Sequence, residues 1–112
     1  MSTPATLDRT LLALADPTRR AILQRLSSGE ARVTDVARPF SMSLNAVSKH
    51  ILVLERAKLV KRRRVGRDHY LSYKPDPLDA AAKWIADTRN FWATRLDALE
   101  QLLRDEDREQ RT

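Results

Sequence analysis

Lys61-Arg62-Arg63-Arg64 is the stretch that most restricts how this chain folds. The apolar Leu59-Val60 before it and the Gly66-Arg67 pair after it read as one strand running into a hairpin loop, with a returning strand over about 69–74. Alternate residues of a strand face opposite sides, so four consecutive cations charge both faces, and the segment is expected to project rather than lie flat on a core. Positive charge is concentrated here. Residues 1–58 hold 9 basic and 5 acidic residues, residues 59–75 hold 6 and 1, and residues 76–112 hold 6 and 9. A chain made basic only for solubility has no reason to gather its excess ahead of an acidic tail, so the expected partner of this stretch is an anion, with the tail facing away from it.

What precedes the hairpin reads as helical. Leu7, Leu11 and Leu14 recur at helical spacing and stop before Asp16-Pro17, where a capping acceptor and a proline at the first helical position begin a second helix over about 17–28. Ile22, Leu23 and Leu26 face a core, and Ser27-Ser28-Gly29 ends the helix. Thr34 is expected to cap a short third helix that Pro39 terminates, with Phe40 anchoring the following turn. Ser43 is expected to cap a fourth helix over about 43–57, in which Leu44, Val47, Ile51 and Leu54 share one face while Asn45, Ser48, Lys49 and Arg56 share the other.

A short helix, a tight turn and a second helix with a hydrogen-bonding outer face form a helix-turn-helix, here from Thr34 to Ala57. The major groove admits an α-helix, and reading it takes donors and acceptors near the helix N-terminus. Asn45 suits a bidentate contact to adenine, Lys49 a guanine edge or a phosphate, and Ser43 and Ser48 phosphates or adaptable base positions. Taken alone, each half of the pattern has a plainer explanation: a polar helix face is solvated, and a basic run is surface charge. Together, in this order, they match one DNA-binding architecture, in which a basic wing over about 59–74 follows the reading helix and touches backbone or minor groove.

The stretches ALADPTRRAILQRL and PFSMSLNAVSKHILVLERAKLVKRRRVGRDHYL resemble the ArsR-type winged-helix repressors of bacteria, and the likeness covers nearly the whole chain. The resemblance implies a dimer on a partly palindromic operator, with Ser43, Asn45, Ser48, Lys49 and His50 on the DNA-reading helix and Arg62, Arg64 and Arg67 on the wing. Many members of that family sense metals through cysteines in the third helix or Asp and His residues on the last. This chain has no cysteine, its third helix reads VTDVAR, and its last helix has no histidine, so no metal or other cofactor is expected. NFWATRLDALEQLL instead resembles a metal-independent subgroup with an aromatic dimerisation helix.

That last helix, expected over about 77–104 before a fraying charged end, supports a dimer from its pattern alone. Leu78, Ala82, Ile85, Arg89, Trp92, Leu96, Leu99 and Leu103 step by threes and fours, giving a heptad-like seam interrupted by Arg89. Trp84, Phe91 and Leu102 lie on a neighbouring face. The expected dimer interface is Leu7, Leu11, Leu14, Ile85, Trp92, Leu96, Leu99 and Leu103. The alternative is a helix that packs only within its own chain.

The fold class expected is mainly α with a small β-hairpin, a single winged helix-turn-helix over residues 1–112 with a long C-terminal dimerisation helix. Catalysis is not expected: the chain has two histidines and two glycines, no phosphate loop and no nucleophile in a recognisable setting. A metal site built from the two histidines, His50 and His69, and completed by Asp68 is not expected, because the neighbouring residues 68 and 69 of a strand point to opposite faces. No signal sequence or membrane span is apparent, which points to the cytoplasm. The expected partners are double-stranded DNA and a second copy, and the effector stays unassigned. Nonspecific architectural DNA binding and a protein-interaction role for the winged helix remain the competing readings.

Overall fold

A computed structural model describes residues 4–111. The elements run α1 (Pro4–Leu14), α2 (Pro17–Leu26), β1 (Ala31–Arg32), α3 (Val33–Ala37), α4 (Leu44–Arg56), β2 (Val60–Val65), β3 (Asp68–Tyr73) and α5 (Asp76–Arg111). The first three residues of the N-terminal stretch in which no signal sequence was found lie outside the described residues. Internal packing divides the chain into two units, one up to Ala81 and one from Ala82 onward.

In the first unit the helix boundaries follow from local chemistry. The Asp16 carboxylate accepts from the N–H groups of Thr18 and Arg19 at 2.8 and 3.2 Å, satisfying two orphan donors of α2, and Pro17 supplies the first helical residue. Ser43 Oγ accepts from the Ala46 N–H at 3.1 Å and starts α4 as expected. α4 ends at Arg56, close to the expected 57, but the geometry of its cap was not anticipated. Lys58 takes a left-handed φ of 62°, the Leu59 N–H reaches the Leu54 carbonyl and the Lys58 N–H the Glu55 carbonyl, both at 3.0 Å. This is a Schellman turn with a lysine in the position glycine favours, and its characteristic apolar contact falls to the fully buried Leu54 and Leu59.

Val47, Ile51 and Leu54 of α4 pack with Ile22, Leu26, Val36, Leu59 and Leu71 in one continuous core. Phe40, Leu14 and Leu78 pack against its margin. Leu44, expected on the same buried face, is exposed instead: it lies in the first turn of α4, where it lines an open cleft rather than the core.

Two further expectations are corrected. Thr34 does not cap α3; the N-cap is Arg32, which makes no side-chain capping bond, because Arg32 is already paired in a strand and the helix starts at the next residue. The sheet is not a bare hairpin. β3 is its central strand, with β2 on one side in register from Val60 opposite Tyr73 to Val65 opposite Asp68, and β1 on the other with Ala31 opposite Leu71. A two-residue strand is too short for any periodicity to announce it. Gly66 opens the two-residue hairpin loop at φ 61°, the left-handed conformation its position requires.

The second unit is the helix from Ala82 to Arg111. It continues past the expected end at about 104: Gln101 bonds Asp105, and Arg104 pairs with Glu100, one turn apart, so the charged residues support the helix instead of fraying it. Ile85, Trp92, Leu96, Leu99 and Leu103 are all exposed in the single chain, as are Trp84, Phe91 and Leu102. Phe91 and Trp92 meet edge to face at 5.7 Å between ring centres, and the Arg95 guanidinium lies 4.7 Å from the Phe91 ring centre.

Candidate nucleic-acid interface

Asn45 and Lys49 stand four residues apart on α4, both exposed, and neither has a side-chain partner among the described residues. Ser48, half-buried, lines a cleft of about 270 Å³ together with Leu44, the wing residues Arg62, Arg67, Asp68 and His69, and Arg32, Val33 and Thr34. The recognition helix and the wing thus share one concavity. Ser43 spends its hydroxyl as an acceptor on the helix cap, leaving its O–H free to donate. His50 differs from its neighbours: only about a quarter of its side chain is exposed (23%), and its Nδ1 lies 3.2 Å from an Arg19 nitrogen, away from the Asn45–Lys49 face.

The wing's cations do not form one class. Arg62 is tethered: its Nη2 and Nε donate to Glu55 at 2.6 and 3.2 Å, and Nη1 to His69 Nδ1 at 3.1 Å. Leu71 is the cross-strand partner of Arg62, so His69 is its diagonal neighbour on the same face, within reach of a long side chain. Arg63 faces the other way, pairing with Glu30 at 2.6 Å and lying 4.9 Å from the ring centre of Tyr70, its cross-strand partner. The hydrogen bond from Arg63, helped by its charge, outweighs partial burial and holds the Glu30 carboxyl below its ordinary range; Glu30 in turn raises Arg63. The strand expected to project on both faces is therefore anchored at its base by two acidic partners from α4 and the segment before β1. The tip is free. Arg64 donates only to the Gly66 carbonyl at 3.2 Å, and Arg67 has no ion-pair partner among the described residues.

Sequence reasoning found the exposed donors and missed the anchors. Arg32 and Thr34 share the cleft with Ser48 and Arg67, yet nothing in the local sequence assigns either of them to it; Arg32 is placed there by its pairing in β1 with β3. The hydrogen bond to Asp35, helped by its charge, raises the Arg32 guanidinium above its ordinary value. Arg19 likewise acquires its contact with His50 only through tertiary packing, across 31 positions of sequence.

Helices α2 to α4 around a buried core, with a three-stranded sheet whose two longer strands form a basic hairpin after α4, define a winged helix-turn-helix. Residues 14–63 match a family described as a helix-turn-helix domain. The chain is 42% identical over 103 residues to the HTH-type transcriptional regulator Rv2034 of Mycobacterium tuberculosis, covering 92% of this chain and 94% of that protein. Among solved structures it resembles an ArsR family transcriptional regulator with a TM-score of 0.78 at 38% identity, covering 82% of this chain and 95% of that one. It also resembles a homodimeric winged helix-turn-helix DNA-binding domain from Mycobacterium bovis, described as a possible ArsR-family regulator, with a TM-score of 0.62 at 31% identity over 76% of this chain and 82% of that one. The chain belongs to the ArsR family of helix-turn-helix transcriptional regulators. No helix among the described residues is long and apolar enough to cross a membrane.

Proposed function

We propose that this protein is a sequence-specific regulator that binds double-stranded DNA as a homodimer in the cytoplasm, acting by binding alone with no catalytic step. The observation that carries the reading is the placement of Asn45 and Lys49, without side-chain partners among the described residues, on α4 beside a wing whose tip cations, Arg64 and Arg67, have no acidic partners among those residues. Asn45 and Lys49 read base edges, Ser43 and Ser48 hold phosphates or adaptable base positions, and Arg64 and Arg67 bind backbone or minor groove. Arg62 adds its charge from the wing base while keeping the hairpin against α4.

In the dimer, the last helix contributes Ile85, Trp92, Leu96, Leu99 and Leu103, and α1 contributes Leu7 and Leu11; Leu14 divides its surface between the partner and its own core. Leu12, unnamed by the periodicity, is more exposed than Leu11 and belongs to the same proposed surface. Two recognition helices then enter successive major grooves about 34 Å apart on a partly palindromic operator. Occupying a promoter in this way obstructs polymerase, which makes repression the favoured outcome.

Fluorescence anisotropy against the protein's own upstream DNA and a scrambled duplex, across a salt series, tests this. Tight, salt-sensitive binding to the first and binding weaker by about a hundredfold or more to the second is the expected result. Equal affinity for both would replace the reading with an architectural role, and failure to bind any duplex recovered from a genome-wide selection would replace it with protein interaction.

A further inference from the structure

Two distinctive stretches, Asp16-Pro17-Thr18-Arg19 and Ser48-Lys49-His50, converge on a single guanidinium. Arg19 Nε donates to the Ala13 carbonyl and Nη2 to the Leu12 carbonyl, each at 2.9 Å, in the last turn of α1, where helix carbonyls have no partner within the helix. Nη1 remains, and it lies 3.2 Å from His50 Nδ1 in the middle of α4. A guanidinium has no acceptor, so Nδ1 accepts and the imidazole proton of the neutral ring sits on Nε2. Asp16, through its bond to the Arg19 N–H, fixes the backbone from which this side chain extends; its own Oδ1 is 3.9 Å from His50 Nδ1, beyond hydrogen-bond length. One planar, many-donor side chain thereby joins the end of α1, the start of α2 and the middle of α4, which a point-charge ammonium cannot do.

We propose that Arg19 and His50 are positioning residues that lock the recognition helix to α1 and thereby set the half-site spacing the dimer accepts. This rests on the reading of α4 as the recognition helix and of α1 as part of the dimer interface. With α1 held against the partner subunit, the Arg19–His50 bond fixes where α4 lies relative to the two-fold axis. His50 then acts through the placement of Asn45 and Lys49, not by touching a base. Adding one base pair between half-sites moves the second by about 3.4 Å and turns it by about 35°, so a locked pair of helices discriminates sharply between spacings.

The experiment uses a duplex selected by the wild-type protein from a random library, together with derivatives carrying one base pair more or fewer between its halves. The quantity read is the ratio of affinities for selected and altered spacing. The half-sites are identical in all three duplexes, so losing a direct base contact weakens every duplex alike and leaves the ratio unchanged. Wild-type protein is expected to prefer its own spacing by about tenfold or more. His50→Leu and Arg19→Lys, which remove opposite ends of the same hydrogen bond, are expected to bring the ratio close to one, whereas His50→Asn, whose Oδ1 stands where Nδ1 stood, keeps it. Should one variant fail to fold, the other decides. A full spacing preference in His50→Leu or Arg19→Lys overturns the proposal while leaving the DNA-binding reading intact. Wild-type protein indifferent to spacing overturns the dimeric reading, and the proposal with it.

Discussion

The five cations between Lys61 and Arg67 divide by what they touch, and their expected behaviour divides with them. Arg67 has no acidic partner among the described residues, so Arg67→Ala is expected to weaken binding to cognate and scrambled duplexes by similar factors and to take about one unit off the salt slope, with no change in Tm. Arg62→Ala is expected to lower Tm, because it leaves the half-buried Glu55 carboxylate without its partner. Anisotropy across salt and thermal melting separate the two effects. Asp16 shows a different kind of dependence. Partial burial pushes its carboxyl up, but the N–H groups of Arg19 and Thr18, the charge of Arg19 and that of His50 when protonated leave it below its ordinary value of 3.8. The folded state therefore holds this charge better than the unfolded chain does. Its contribution is complete above the ordinary value and drains away as pH falls through the lower folded one. Asp16→Asn keeps an acceptor at the cap and should flatten part of the loss of Tm seen on acidification below about pH 4.

Among the elements, those whose ends are set by neighbours in sequence were legible and those set by distant partners were not. The Asp16-Pro17 start of α2, the Ser43 cap and the buried Val47–Ile51–Leu54 stripe all follow from residues within a turn or two of one another. β1 exists only because Leu71 and Tyr70 stand opposite Ala31 and Arg32, and that pairing displaces the start of α3 from Thr34. The same division runs through the proposed interface. Which residue types it carries was readable from patterning and charge, whereas the acidic partners of Arg62 and Arg63, which sort tether from tip, come from elements seven and 33 positions away. The end of α4 supplies a test at this scale. Lys58 holds a left-handed φ that disfavours a side chain, and Lys58→Gly is expected to raise stability by about 0.5–1 kcal/mol in urea unfolding, the relief of strain exceeding the added freedom of the unfolded chain. Lys58→Val is expected to do the opposite.

For the whole molecule, the second unit poses the question of what completes it. A helix of this length presenting eight large apolar side chains to water is a surface that monomeric proteins rarely leave uncovered. The heptad-like steps of Ile85, Trp92, Leu96, Leu99 and Leu103 suit a second copy of the same helix, with the Phe91 face beside them. Leu96→Glu combined with Leu99→Glu is expected to convert a dimer into a monomer in sedimentation equilibrium and to reduce operator affinity by about a hundredfold or more, while helical content measured by circular dichroism in the first unit persists. A double variant that sediments like wild type would place the interface elsewhere.

The Schellman turn at Lys58 passes the chain from α4 to β2 through three residues, Ala57 to Leu59, two of them buried, and Glu55 on one side of that turn grips Arg62 on the other. The helix proposed to read bases and the hairpin proposed to grip the backbone are accordingly joined by a short, largely buried turn. On the proposed reading, exposed side chains such as Asn45 and Lys49 can change toward new target sequences in a lineage built on this frame, while the offset between the two proposed points of grip is inherited as a fixed measurement. Preference for a base is thus the changeable part of such a regulator, and the gauge by which it measures the duplex is the part that resists change.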